Sequence, residues 1–391
     1  MNQHWIAKLE DVAELNPRAP KHLADHTDVA FVPMSAVSEN GSLGEHGTRP
    51  YGEVKKGYTY FERGDLLIAK ITPCFENGKA ALVNNLAEPI GFGSTEFHVL
   101  RPGPELDGRY LFYMLWNDKF RASAAGGMTG SAGQKRVPAD LLRRTEIRLP
   151  PLDEQRRIAA ILDKADALRQ KRKRAIALLD NLTQSIFLEM FGDPKQNPLG
   201  LREAELGEAA DFFAGNSLPV GEDYRNRDDG YLLLKVSDMN LPGNEEVITY
   251  SAGWSASPGS KASTCPANAI VFPKRGGAIS TNKKRRLSRP AILDPNVMGV
   301  YPKRGVLQDE YLFSWFQKLD LVEISSGSSV PQLNKQDLAP LKIAVPEMDR
   351  QREFAARVQS VRPGRLAAVN ALTKVEDLFS SLQHRAFSGQ I

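Results

Sequence analysis

Eight cations and no carboxylate lie between Val247 and Leu293: Lys261, Lys274, Arg275, Lys283, Lys284, Arg285, Arg286 and Arg289. An uncompensated run of this kind sets up a local positive field, which suits a polyanion. Its densest part is the loop FPKRGGAISTNKKRRLSRP, from Phe272 to Pro290. There Lys274, Arg275, Lys283, Lys284, Arg285 and Arg286 have the chemistry to neutralise phosphates and release counterions. Arginine can also donate to guanine O6 and N7 together. Gly276-Gly277 would let the backbone come close to a duplex. A solvated surface ribbon would carry the same charges. The net charge of the 391 residues is only +4, so the signal is local.

Three further loops offer related chemistry. AKITPCFENGK, from Ala69, supplies Lys70 and Lys79 at lower charge density. GGMTGSAGQKR, from Gly126, supplies Lys135 and Arg136, and SSGSSVPQLNK, from Ser325, supplies Ser328, Ser329 and Lys335. Hydroxyls, amides and cations together suit phosphate and base-edge contacts, although a polar connector has the same composition. The run RQKRKR, Arg169–Arg174, spans more than a helical turn, so its cations are expected to point all round a helix. Of these, Arg172 is expected on the apolar seam, its stem snorkelling.

Other chemistries are not supported. His22 and His26 are four apart, but HLADH lacks the glutamate of a zincin helix, and no metal site is expected. Cys74 and Cys265, the only cysteines, make neither a disulfide framework nor a zinc site, and suit a reducing compartment. The sequence contains no phosphate-cradling Walker A loop, no dinucleotide-binding GxGxxG and no Asp/Asn-Pro-Pro-aromatic tetrapeptide. Catalysis by this chain alone, and a cofactor of its own, are therefore not expected. With no apolar run long enough for a bilayer and no apolar stretch at the start, the expectation is a cytoplasmic protein without a signal peptide.

The elements that must position these loops occur twice. At an offset of 196, VPADLLRRTEIRLPPLDEQRRI from Val137 lies over LNKQDLAPLKIAVPEMDRQREF from Leu333, so that Gln155 meets Gln351. RYLFYMLWNDKF from Arg109 matches EYLFSWFQKLDL from Glu310, and GDLLIAK from Gly64 matches NAIVFPK from Asn268. Each copy orders a strand, a basic loop, a second strand, an aromatic helix, a Gly/Ser loop and a third strand before the Pro-containing junction. This predicts α+β blocks of roughly 140 residues.

A long helix is predicted after each junction. The first, about Leu152 to Phe191, carries a heptad-like seam of Ile158, Ile161, Leu168, Leu179, Leu182 and Ile186. The second repeats it with Phe354, Val358, Val361, Leu372, Phe379 and Leu382. Pro363-Gly364 stands where the first copy has Ala167-Leu168, which predicts a kink or a restart. A helix of ~40 residues is a rod of roughly 60 Å. Each narrow stripe must bury itself, and the economical partner is the other stripe. The expected architecture is α+β: two tandem globular domains separated by two long antiparallel helices, a coiled-coil rod with pseudo-two-fold symmetry.

PPLDEQRRIAAILDKADAL, the ending SIFLEMFGDP, the echo PEMDRQREFAARV and the block–helix–block–helix order resemble the specificity subunit of Type I restriction–modification systems. The resemblance covers essentially the whole chain. It implies target-recognition domains at 1–149 and 200–345, conserved spacer helices at 150–192 and 346–391, and a linker at 193–199. It also implies double-stranded DNA as ligand, read as two different half-sites, with two modification (methyltransferase) subunits docked on the helices and restriction subunits joining them. Methyl transfer would use S-adenosylmethionine held by the partner. The second copy departs from the pattern at Met348 and Arg350, where the first has Leu152 and Glu154, which puts its docking role in doubt. A stand-alone DNA-binding protein and a pure protein scaffold are the competing readings.

Overall fold

The computed structural model describes residues 6–131, 133–224, 227–327 and 330–390. Four helices organise it: α1 (Gly108–Leu115), α2 (Leu152–Phe191), α3 (Asp309–Gln317) and α4 (Met348–Ser388). The chain divides into two compact units. Unit one is Met1–Lys173 with Asn370–Ile391, and unit two is Arg174–Val369. Both long helices therefore contribute residues to both units. Among the described residues no helix is long and apolar enough to cross a membrane.

In unit one, strands Ala13–Leu15, Phe97–Pro102, Leu66–Ala69 and Ala80–Leu82 form one sheet in that spatial order. Gly47–Pro50, Asp28–Val32, Ile90–Gly93 and Thr59–Glu62 form another. Leu66–Ala69 is buried along its whole length, as a central strand must be. Unit two repeats this plan. Ala210–Ala214, Val297–Pro302, Ile270–Pro273 and Arg285–Leu287 line up as their counterparts do, extended by Val247–Ile248. The parallel pairing of Asp28–Val32 with Ile90–Gly93 recurs as Tyr231–Leu234 with Ala291–Leu293.

The doubled junction has a physical cause. Gln155 is fully buried; its Oε1 accepts the Asp107 N–H at 2.8 Å, and its Nε2 donates to the carbonyls of Glu105 (2.9 Å) and Pro150 (2.8 Å). Gln351 does the same in unit two, accepting from Gln308 N–H at 2.8 Å and donating to Val306 (3.0 Å) and Pro346 (2.8 Å). One amide thus ties the first turn of a long helix to the start of the preceding aromatic helix and to the proline turn. Tyr110 and Tyr311 close the same corner by donating to the carbonyls of Arg148 (3.0 Å) and Ala344 (2.8 Å).

In each unit the largest hydrophobic cluster is built with the start of one long helix and the end of the other. In unit one, Ile158, Leu162 and Ala165 of α2 join Phe379 and Ala386 of α4, with Phe387 against Tyr110. In unit two, Phe187, Met190 and Phe191 of α2 join Phe354 and Val358 of α4, and Phe191 packs on Tyr311. Phe191 and Phe387 are 196 residues apart, like the two glutamines. Within each unit the segments run antiparallel. Arg169 lies over Phe379 and Lys173 pairs with Glu376 in unit one, while Asp180 pairs with Arg365 and Glu189 with Arg357 in unit two.

Two details of the predicted helices are corrected. Leu168 and Leu182 are 39% and 45% exposed, so they are not part of a buried stripe; Ile161, Leu179 and Ile186 are only partly buried. Ile158 and Ala165 are buried, but the face between and after them runs through Leu162 in place of Ile161 and the partly buried Arg169 in place of Leu168, and Arg172 is exposed. The Arg169 guanidinium stacks 5.0 Å from the Trp116 ring centroid and 4.5 Å from that of Phe379. A cation–π contact thus fills a place that apolar counting misses. On α4 the residues Phe354, Val358 and Phe379 are buried, and Val361, Leu372 and Leu382 partly so. Helix α4 also does not restart at Pro363, which lies inside one 41-residue helix. Ion pairs from Arg362 to Glu310 (2.7 Å) and from Arg365 to Asp180 (2.5 Å) hold the helix on either side of the proline.

Gln351→Ala leaves three buried or partly buried backbone groups without their partner and is expected to cost about 3 kcal/mol. Arg352→Ala, beside it on the exposed face, is expected to stay within about 0.5 kcal/mol. Urea unfolding of the two variants beside wild type checks this.

Candidate nucleic-acid interface

The strand Ile270–Pro273 delivers the basic loop at its end, and Leu66–Ala69 delivers the equivalent loop in unit one. The structure brings each of these loops against the Gly/Ser loop of its own unit. In unit one Ile71 and Thr129 both bridge to Arg136, and Thr72 N–H donates to Lys135 O at 2.9 Å. In unit two Arg275 and Ser326 both bridge to Gln332, and Gly276 N–H donates to Pro331 O at 2.9 Å. Gly276 has φ +67°, a left-handed conformation that favours glycine at this bridge. Four loops that lie far apart in sequence thus become two composite surfaces, one per unit. Ser328 and Ser329 lie outside the described residues.

The cations within these surfaces are unequal. Arg275, Lys135 and Lys335 are exposed. Lys70, Lys79, Arg136, Lys283 and Arg285 are partly buried. Arg136 holds Glu96 with both ends of its guanidinium, and this hydrogen bonding keeps the Glu96 carboxyl below the usual range. Lys79 reaches Met34 O at 3.4 Å, Lys283 donates to the Asn240 side chain, and Lys335 stands 5.9 Å over the Phe212 ring. Arg285 donates to Asn244 O (2.9 Å) and Lys284 O (3.1 Å), and burial pushes its pKa down. Lys274 is buried to 9% exposure, and its ammonium has no hydrogen-bond or ion-pair partner among the described residues.

Two candidates belong to the interior, which corrects the expectation that the whole run faces a duplex. Arg286 is buried, donates to Glu310 at 2.7 Å, pairs with Glu246 at 3.6 Å and stacks on Phe313. Glu310 is shared with Arg362 of α4. Lys284 is also buried, donating to Asn282 (2.9 Å) and Leu319 O (2.7 Å); desolvation pushes its ammonium down to about 8. Arg289 spends its guanidinium on the carbonyls of Arg227 and Asp229. The physical reason is that partners come from outside the acid-free window. Glu246 precedes it by one residue and Glu310 follows it by 17. A cation count along the chain therefore overstates the free charge in space.

Sequence reasoning did not single out Glu96, Asn296 or Gln332, which border the composite surfaces. The signal that finds them is the internal repeat. Lys70 N–H donates to Glu96 O and Lys70 O accepts from Val137 N–H, while Lys274 N–H donates to Asn296 O and Lys274 O accepts from Leu333 N–H. Lys70, Glu96 and Arg136 are thus the counterparts of Lys274, Asn296 and Gln332.

Residues 4–178 match the family described as Type I restriction modification DNA specificity domain. The chain is 37% identical over 210 residues to the Type I restriction enzyme EcoAI specificity subunit of Escherichia coli, covering 52% of this chain and 35% of that protein. It is 35% identical over 213 residues to the EcoEI specificity subunit of the same organism, covering 53% and 36%. The chain thus spans about a third of the length of these relatives. The crystal structure of a Type I restriction–modification system S subunit from M. genitalium has a similar fold, with a TM-score of 0.55 at 15% identity over 99% of this chain and 97% of that one.

Two predictions separate structural from available cations. Arg286→Gln is expected to destabilise unit two by about 3 kcal/mol, because it strips Glu310 and Glu246 of a buried partner. Arg275→Gln, at an exposed site, leaves the denaturation midpoint unchanged. For Lys284 the folded state holds a proton less tightly than the unfolded chain. Its contribution to stability is fully present above the unfolded pKa of about 10.4 and is lost as pH falls through about 8. Wild type is therefore expected to gain stability relative to Lys284→Met between pH 8 and 10.4, measured as the difference in urea midpoints.

Proposed function

We propose that the chain is a specificity subunit of a Type I restriction–modification system, the DNA-reading subunit of such a complex, as its similarity to that family's DNA specificity domain and to two specificity subunits supports. It binds a bipartite, asymmetric duplex site, one half-site per unit, and performs no chemistry itself. The observation that carries this reading is one frame used twice with different loops. Both units share strand order, register and glutamine clamp, yet their composite surfaces differ in charge and in side-chain type. A repeated frame fits two similar tasks, and dissimilar loops fit two different sequences.

Within this reading residues 1–149 and 200–345 are the recognition domains, 150–192 and 346–391 the spacer helices, and 193–199 the linker. The continuity of α2 and α4, with antiparallel contacts inside each unit, supports their acting as a coiled-coil separator that fixes the gap between half-sites. Leu178, Leu182, Leu366 and Leu378 are exposed on these helices, which supports their role in docking two modification subunits. Restriction subunits would join that assembly. Arg275, Lys135 and Lys335 are the free cations best suited to phosphates, with Lys70, Lys79, Arg136, Lys274, Lys283 and Arg285 behind them.

The test is to express the chain with its modification subunits and map methylated bases genome-wide. One split, non-palindromic motif is expected, and its loss when this chain is omitted. A palindromic motif, or methylation that does not depend on this chain, would overturn the proposal.

A further inference from the structure

Lys274 follows a fully buried strand and is fixed on both sides of its backbone, through Asn296 O at 2.8 Å and Leu333 N–H at 2.9 Å. Its side chain is 9% exposed, yet no described residue accepts a hydrogen bond from its ammonium. Burial and the adjacent Arg275 both push its pKa down. A cation with most of its surface buried, a tip that still meets solvent and no protein acceptor is free to take an acceptor from outside the chain. Nothing in the frame requires it. In unit one the same backbone position holds Lys70, with the same two hydrogen bonds at 2.8 and 2.9 Å.

What differs between the units is the pair of residues that flank the lysine's backbone. Unit one places Glu96 and Arg136 there, joined at 2.7 Å, and Lys70 adds its charge beside Glu96. Unit two places Asn296 and Gln332 at the equivalent positions. Asn296 is exposed, with one contact to Asp294 at 3.3 Å, and no partner of the Gln332 amide is found among the described residues. The positions that flank the lysine's backbone thus carry a closed ion pair in one unit and two open amides in the other. Asparagine and glutamine amides both donate and accept, as base edges do.

Resting on the DNA-reading function above, we infer that these three positions are the point where the two units diverge in sequence preference. Lys274 donates to an electronegative acceptor on the duplex, a phosphate oxygen or a guanine O6 or N7, and Asn296 and Gln332 read the base edge beside it. In unit one Lys70 performs the shared task, while the Glu96–Arg136 pair reads a different edge.

The test selects duplexes from a random-sequence library with the full-length chain, wild type and variants in parallel. Wild type is expected to enrich a bipartite sequence; if it enriches none, the DNA-reading function itself is wrong and the inference goes with it. The double exchange N296E/Q332R is expected to keep the first half-site and change at least one base of the second. The reciprocal E96N/R136Q is expected to do the reverse. Lys274→Met is expected to weaken binding about tenfold. A uniform loss with a salt slope lower by about 1 assigns the phosphate, and relaxation at a single base assigns the guanine edge. Folded variants, shown by unchanged circular dichroism melts, that enrich the wild-type sequence with wild-type affinity would overturn the inference.

Discussion

A buried glutamine amide sets the geometry on which each unit depends. The proline turn and the segment that leads into the aromatic helix present partly buried backbone groups to the first turn of the long helix. An unpaired buried donor or acceptor costs about 1–3 kcal/mol, so three of them at one corner would defeat a marginally stable domain. Gln155 and Gln351 satisfy them with one side chain each, and only a glutamine has both the reach and the mixed donor–acceptor end. The angle at which a long helix leaves its block is thereby fixed by three hydrogen bonds of 2.8–3.0 Å. That requirement accounts for a junction written twice while the loops around it drift.

The helix ends impose a second constraint. Phe191 of the first repeat packs on Tyr311 of unit two, and Phe387 of the second repeat packs on Tyr110 of unit one. Neither unit completes its core from its own repeat alone. This exchange explains why α4 remains one helix in spite of Pro363. A proline removes one intrahelical hydrogen bond and crowds the preceding turn. Buried contacts at Phe354 and Val358 hold the helix before the proline, Phe379 and Ala386 hold it after, and the charged partners of Arg362 and Arg365 flank the defect.

Much of this was legible in the sequence, and the failures have specific causes. The repeat offset located Gln155, Gln351, both central strands and both aromatic helices, because burial and backbone hydrogen bonding constrain those positions tightly. On α2 the apolar pattern points to Leu168 as the buried position in place of Arg169, because a search for apolar side chains passes over a guanidinium accommodated by two aromatic rings. The basic stretch misled in a similar way. Charge along a chain is one-dimensional, whereas Glu246 and Glu310 approach Arg286 from other elements. The pairing of each basic loop with a Gly/Ser loop was not visible because it rests on single backbone bridges between segments some 60 residues apart.

The two units show how one frame tolerates different chemistry. Register places Leu82 opposite Leu66 in unit one and Arg286 opposite Ile270 in unit two, so an apolar residue and a cation occupy corresponding sites. An arginine there is tolerable only because the helix that follows offers Glu310 where unit one has Arg109, and because Arg362 and Glu246 complete the balance. A buried charge must be introduced together with its partners, since either one alone leaves an uncompensated ion. Substitutions inside the frame are therefore coupled across strands and helices, which slows their change. Exposed positions on the composite surface of unit two face no such coupling, and Asn296 and Arg275 can be exchanged singly, whereas Glu96 and Arg136 of unit one are tied to each other. Variation in what is bound then accumulates at the loop tips while the frame is preserved.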